Sequence, residues 1–204
     1  MWALGWHSSA SAFKSLSDIE SNIQSYNESS LPLEGVWLDV SYKAPSGEFL
    51  VDQGAFSNLT NFTKAIQADG KRMIITVDPT LDVLSRGPYY LEAQQHEALI
   101  KSTINRDKFN GALTAEVNKR QSVFLDFFND KAIDIWKNGL KDLYSQVEFD
   151  GLWLDTNELK SQCEGECPGY KPKVLDELYD KHGLQPWYKR NFDQSLISSY
   201  NLPF

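Results

Sequence analysis

The chain has 204 residues, enough to bury a sizeable core and to form one or two domains. Its 41% hydrophobic and 13% aromatic content excludes disorder as the main state. With 20 Lys+Arg against 28 Asp+Glu the net charge is −8, which argues against a nucleic-acid partner and against attraction to anionic membranes.

The opening segment ALGWH reads as a short strand. Ser17-Asp18-Ile19-Glu20 reads as a capping box, and Ile19, Ile23 and Tyr26 then share one helical face. Leu31-Pro32 ends that helix. Residues 35–42, GVWLDVSY, are an apolar β-prone run. Asn58 or Ser57 caps a second helix with Leu59, Phe62 and Ile66 on one face, and Gly70 stops it. Residues 72–79, RMIITVDP, form a strand rich in β-branched residues. A third helix follows Asn129, with Ile133, Trp136, Leu140 and Leu143 at 3,4,3 spacing. Residues 149–158, FDGLWLDTNE, are another buried-strand run.

The strands are near-continuous apolar runs, the pattern of a parallel sheet covered by helices. The fold class is therefore α/β, with strand and helix alternating three times and a fourth strand closing the series. Two stretches fall outside that unit. Residues 80–128 carry a helix-like patch at 90–103, and residues 159–204 carry Cys, Gly and Pro with a short helical patch at 174–178. Both read as loop-side insertions or linker. No apolar run reaches the ~20 residues of a membrane span, and MWALGWHSS lacks the basic and apolar regions of a signal peptide.

Cys163 and Cys167 stand in CEGECPG, where a small disulfide loop is favoured over free thiols. A zinc site needs two more ligands at suitable spacing, and none is nearby; no metal is expected. Sequons occur at Asn27, Asn58 and Asn61. Disulfide and sequons together point to a secretory, lysosomal or extracellular compartment.

Three apolar strands each carry an aspartate near the C-terminal end: Asp39 in VWLDV, Asp78 in TVDP and Asp155 in LWLDTNE, with Glu158 just beyond. In a closed parallel barrel the strand C-termini converge on the face that carries the active site. A lone strand-end aspartate is most simply a helix cap or a turn former. Three together, beside Trp37 and Trp153, fit sugar binding: indole faces stack on a pyranose ring and carboxylates grip its hydroxyls. Clustered Asp also serves metal-dependent hydrolases, but these recruit His, and only His7 is positioned to help; His96 and His182 fall in the two inserted stretches.

These residues resemble glycoside hydrolase family 31. GLWLDTNE resembles its nucleophile motif W-[IL]-D-M-N-E, and WALGWH resembles its first barrel strand. VWLDVSYK is similar to the second-strand motif W-x-D-I-D-Y-M, MIITVDP to the third-strand I-x-D-P, and FLDFFN to F-P-D-F. The five blocks keep the family's order across residues 2–158. The resemblance implies a partial (β/α)8 barrel, its first four strands over residues 1–158, with an insertion at about 80–128 after the third strand. It implies a retaining α-glycosidase acting on an α-glucoside or oligosaccharide, with no cofactor. Asp155 would be the nucleophile, Asp39 would hold the hydroxyls of the terminal sugar, Trp153 and Trp37 would line the subsite, and Asp78 would brace its floor. Glu158 and His7 would stand behind these groups, Glu158 fixing the loop.

The chain departs from the family at Ser41 (for Asp), Thr156 (for Met), and Leu159 and Lys160 (for Pro and Ser). It also has Asn118, Lys119 and Arg120 where the family has W-P-G. The family's acid/base and its sugar-gripping Arg and His lie on later strands. The expectation is therefore half of a catalytic barrel, inactive by itself, whose open sheet edges need the remaining half or another chain. The rival readings are a catalytically silent relative that binds glycan or protein, and a metal-dependent hydrolase.

Overall fold

The computed structural model describes residues 2–44, 48–102, 111–117, 120–155 and 157. In chain order its strands and helices are β1 (His7–Ser9), α1 (Leu16–Glu28), β2 (Gly35–Leu38), α2 (Leu59–Ala68), β3 (Arg72–Val77), β4 (Thr80–Asp82), α3 (Pro88–Gln95), β5 (Thr114–Val117), β6 (Arg120–Phe124), α4 (Asp130–Val147) and β7 (Gly151–Leu154). They divide into two compact units. One comprises Met1–Asp78 with Trp136–Asp155, and the other is built around Pro79–Ile135.

The first unit holds a four-stranded sheet in the order β1-β2-β3-β7, every pair parallel. This is an open part of an α/β barrel rather than a closed one. Gly35 pairs with Arg72 and Leu38 with Ile75; Ile74 pairs with Gly151 and Val77 with Leu154. Successive side chains alternate between the faces. Val36, Leu38, Met73, Ile75 and Val77 share one face and are all buried; α2 packs against β3. The other face carries His7, Trp37, Ile74, Thr76 and Trp153.

Sequence reading placed a fully buried strand at β7. The structure corrects this: Leu152 and Leu154 are exposed. The cause is position, since β7 pairs only with β3 among the described residues and forms an edge of the sheet. The first strand also lies later than the expected ALGWH and shares only His7 with it. Trp2–Leu4 form a 3-10 turn, closed by the Gly5 amide donating to the Trp2 carbonyl, and pairing begins at His7.

The capping box of α1 sits two residues earlier than the sequence suggested. Ser15 is the cap: its hydroxyl accepts from the Asp18 amide, and the Asp18 carboxylate accepts from the Ser15 and Lys14 amides. Those two donors hold the Asp18 carboxyl below its usual range. Ile19 and Ile23 are buried as expected. Asn58 precedes α2 in a left-handed conformation (φ 67°) without capping it; its Oδ1 accepts from Asn61 Nδ2 instead. The buried face of α2 is Leu59, Thr63 and Ile66, so a threonine takes the place expected for Phe62. Gly70, at φ 81°, follows the helix and turns the chain toward β3. Asn129 caps α4, its Oδ1 accepting from the Lys131 amide.

The second unit contains an antiparallel sheet in the order β4-β6-β5, an arrangement the sequence reading did not foresee. Ile100, Leu113, Ala115, Val117 and Phe124 form its apolar core. The helix expected at 90–103 is α3, with Pro88 at its first position, and it stops at Gln95. The Ala98 amide donates back to the Ala93 carbonyl while Glu97 turns left-handed (φ 53°), and Leu99 then pairs with Leu125.

Candidate active site

Three strands of the first unit deliver their C-terminal residues to one end of the sheet. Trp37 is level with Ile74, and Thr76 is level with Trp153. Two residues beyond each tryptophan, on the same face by alternation, come Asp39 and Asp155; Asp78 stands two beyond Thr76. The spacing W-x-D thus puts an indole and a carboxylate on one face of each strand, twice.

The aromatic groups meet edge to face. Ring centroids of Trp37 and Trp153 are 5.5 Å apart at 67°, and those of His7 and Trp37 are 5.8 Å apart at 81°. The Trp37 indole N–H, which can only donate, donates to His7 Nδ1 at 2.8 Å. His7 Nε2 therefore carries the ring proton and donates to the Trp2 carbonyl at 3.1 Å. Gly35 makes this possible: a Cβ there would fall 2.4 Å from His7 Nδ1.

The three aspartates have different surroundings. Asp78 is 2% exposed, and its Oδ2 accepts from Lys43 Nζ at 2.5 Å. Lys43 also pairs with Glu48 at 3.0 Å, and both are buried. Burial acts to lower the Lys43 pKa, but the charges of Glu48 and Asp78 outweigh it and hold the ammonium above the ordinary lysine range. Asp39 is half-buried and caps the short turn Val40–Tyr42, its Oδ1 accepting from the Val40 amide at 2.7 Å. Asp155 is half-buried as well. Its backbone amide donates to the Val77 carbonyl at 2.9 Å, and its carboxylate has no partner among the described residues.

Lys43 and Glu48 were missed in the sequence. The signal for Lys43 was its place at the end of VWLDVSYK, where the resembling motif has methionine. Tyr42 was missed too: its hydroxyl donates to the Thr76 carbonyl at 2.7 Å, and burial pushes its pKa above the usual tyrosine range. Thr76 Oγ1 lies buried without a hydrogen-bond partner among the described residues. Ser41, at the family's second aspartate, donates to the Phe13 carbonyl at 2.5 Å. Asn27, Asn58 and Asn61 are exposed. Glu158, Cys163, Cys167, Asn118, Lys119 and Thr156 lie outside the described residues. Among the described residues no three His, Cys, Asp or Glu side chains are grouped to hold a metal ion, and no helix is long and apolar enough to cross a membrane.

The model of the glycosyl hydrolases family 31 TIM-barrel domain matches residues 1–197. Human intestinal sucrase-isomaltase is 27% identical over 98% of this chain and 12% of its own length. Lysosomal alpha-glucosidase of Mus musculus is 26% identical over 86% of this chain and 18% of its own. The chain thus spans less than a fifth of these curated relatives. Among solved structures, glucosidase II alpha subunit superposes with a TM-score of 0.68 at 21% identity, covering 78% of this chain and 17% of that one. A Flavobacterium johnsoniae dextranase of the same family, complexed with glucose, gives 0.66 at 18% identity, covering 78% and 19%. These structural likenesses carry the fold.

Proposed function

Because this chain belongs to glycosyl hydrolase family 31, we propose that it supplies the first four strands of the catalytic barrel of a retaining α-glucosidase-like hydrolase, with Asp155 as nucleophile. One observation carries the assignment. Of the three strand-end aspartates, Asp78 is tied to a buried ammonium and Asp39 caps its own turn, while the Asp155 carboxylate has no partner among the described residues. A nucleophile has to be free to approach carbon, and among the three the Asp155 carboxylate is the one left uncommitted within the described residues.

In this reading a carboxylate oxygen of Asp155 attacks the anomeric carbon as the glycosidic C–O bond breaks. A second carboxyl group gives its proton to the leaving oxygen, then takes one from water, whose oxygen displaces Asp155. That acid/base is not among the residues assigned here, and the 204 residues by themselves are expected not to turn over substrate. Asp39 binds hydroxyls of the terminal glucose through Oδ2, which has no partner among the described residues. Trp37 and Trp153 offer ring faces and edges to the sugar, and His7 holds Trp37 through Nδ1. Asp78 acts through the fold, by way of Lys43. The compartment proposed is secretory, as for the lysosomal relative, and the substrate is a terminal α-linked glucoside. The edge of β7 that is unpaired among the described residues would pair with a further strand, of the same barrel or another chain.

A second reading, a silent relative that binds glycan without cleaving it, draws on Ser41, whose hydroxyl is committed to the Phe13 carbonyl where the family has a carboxylate. Turnover of an aryl α-glucoside by the full-length protein, abolished by Asp155→Ala and indifferent to chelator, supports the hydrolase. Glucoside binding without turnover supports the silent relative. Turnover that survives Asp155→Ala removes the nucleophile assignment, and turnover lost to chelator points to metal chemistry.

A further inference from the structure

Asp39 opens the short 3-10 turn Val40–Tyr42, and the Val40 amide donates to its Oδ1 at 2.7 Å. With one carboxylate oxygen tied to the turn, the direction of the other, Oδ2, follows the orientation of the turn. The turn holds itself weakly. The Tyr42 amide donates to the Asp39 carbonyl at 3.5 Å, beyond the normal range, and the Lys43 amide to the Val40 carbonyl at 3.1 Å. A lone 3-10 turn has poor hydrogen-bond geometry and little stability of its own.

Consecutive side chains brace it from outside. Ser41 Oγ donates to the Phe13 carbonyl at 2.5 Å, in the segment between β1 and α1. The Tyr42 hydroxyl donates to the Thr76 carbonyl of β3 at 2.7 Å, and Tyr42 is fully buried. Because β2 lies between β1 and β3 in the sheet, these two bonds grip the turn from opposite sides. Its far end is held as well. Lys43 Nζ reaches Asp78, and the Tyr42 carbonyl accepts from the Asp52 amide at 2.8 Å.

We propose that Ser41 and Tyr42 are positioning residues for Asp39. By bracing its turn against segments from both neighbouring strands, they aim Oδ2 at one hydroxyl of the terminal sugar and so set the discrimination at that carbon. The proposal rests on the α-glucoside reading above. Both hydroxyl protons are committed within the protein, so the two residues act through Asp39.

The test uses the full-length protein carrying Asp155→Asn, so that turnover does not consume the ligand. Isothermal titration calorimetry gives Kd for methyl α-glucoside and its four monodeoxy analogues. Asp39→Ala identifies the hydroxyl: removing that hydroxyl weakens binding about 10- to 100-fold where it meets a carboxylate, and the loss disappears in the variant. Ser41→Ala and Tyr42→Phe are each expected to shrink the same loss several-fold and to leave the other analogues' losses unchanged. Ser41→Thr, which keeps a hydroxyl, should retain it. Each variant removes one bond, so either decides alone if the other fails to fold. Losses unchanged throughout, or all ligands weakened equally, would mean that the braces serve only the fold, and overturn the proposal. An Asp39→Ala variant that changes no loss, or a protein that binds no glucoside, removes the α-glucoside reading of Asp39 first and the proposal with it.

Discussion

Lys43 Nζ lies 2.5 Å from Asp78 Oδ2, so one buried ammonium ties the segment after β2 to the residue that follows β3. The same nitrogen reaches Glu48, so two buried carboxylates share it. Lys43→Met, which restores the residue type of the resembling motif, leaves both acids without that cation. Breaking a buried pair this way costs about 3–5 kcal/mol. Urea unfolding should show a loss of that size, and Lys43→Met with Asp78→Asn and Glu48→Gln should recover part of it. A loss near zero in the single variant would show the ion pair to be dispensable.

The same cluster sets an alkaline limit. Lys43 and Tyr42 both have pKa values raised in the folded state, Tyr42 through burial and Lys43 because its carboxylate neighbours outweigh burial. Each holds its proton more tightly folded than unfolded. Their contribution is therefore complete below the unfolded values of 10.0 and 10.5 and is lost as pH rises past them. Thermal unfolding followed upward from neutral pH should show Tm falling above about pH 10. Tyr42→Phe should make that fall shallower; an identical slope would remove Tyr42 from the account.

Gly139 sits inside α4, where alanine normally gains about 1 kcal/mol of helix propensity. Here a Cβ would lie 2.4 Å from the Phe49 ring, which also meets Trp136 edge to face at 5.4 Å. Overpacking costs about 1–3 kcal/mol and so outweighs the propensity gain. Gly139→Ala should lower Tm, whereas an ordinary helical glycine would raise it.

Gly35→Ala tests the support behind the aromatic pair. The new methyl group would displace His7 and break its hydrogen bond with Trp37. The near-ultraviolet circular dichroism of the indoles should change, and glucoside affinity of the full-length protein should fall. An unchanged spectrum would mean that His7 does not hold Trp37.

The strand-end aspartates, the two W-x-D pairs and the parallel sheet were legible because parallel strands print themselves as apolar runs with polar residues at one end. Lys43 was not legible, since a lysine after an apolar strand looks like any solvated charge until its two partners, one 35 residues away, are seen around it. The antiparallel sheet of the second unit escaped for a different reason. Its strands are three to five residues long, too short to develop a period. The Ser15 cap was displaced because Ser15 and Ser17 both offer a hydroxyl near Asp18, and only the backbone decides which one faces the helix start.

The edge-to-face approach of Trp37 and Trp153 also has an optical side. Two indoles 5.5 Å apart are coupled oscillators, so their far-ultraviolet transitions split into a pair of bands of opposite sign. A ring that slides between them or tilts either one changes that couplet directly. The protein thus carries a built-in reporter at the place where a sugar is proposed to bind, readable without a label and without turnover.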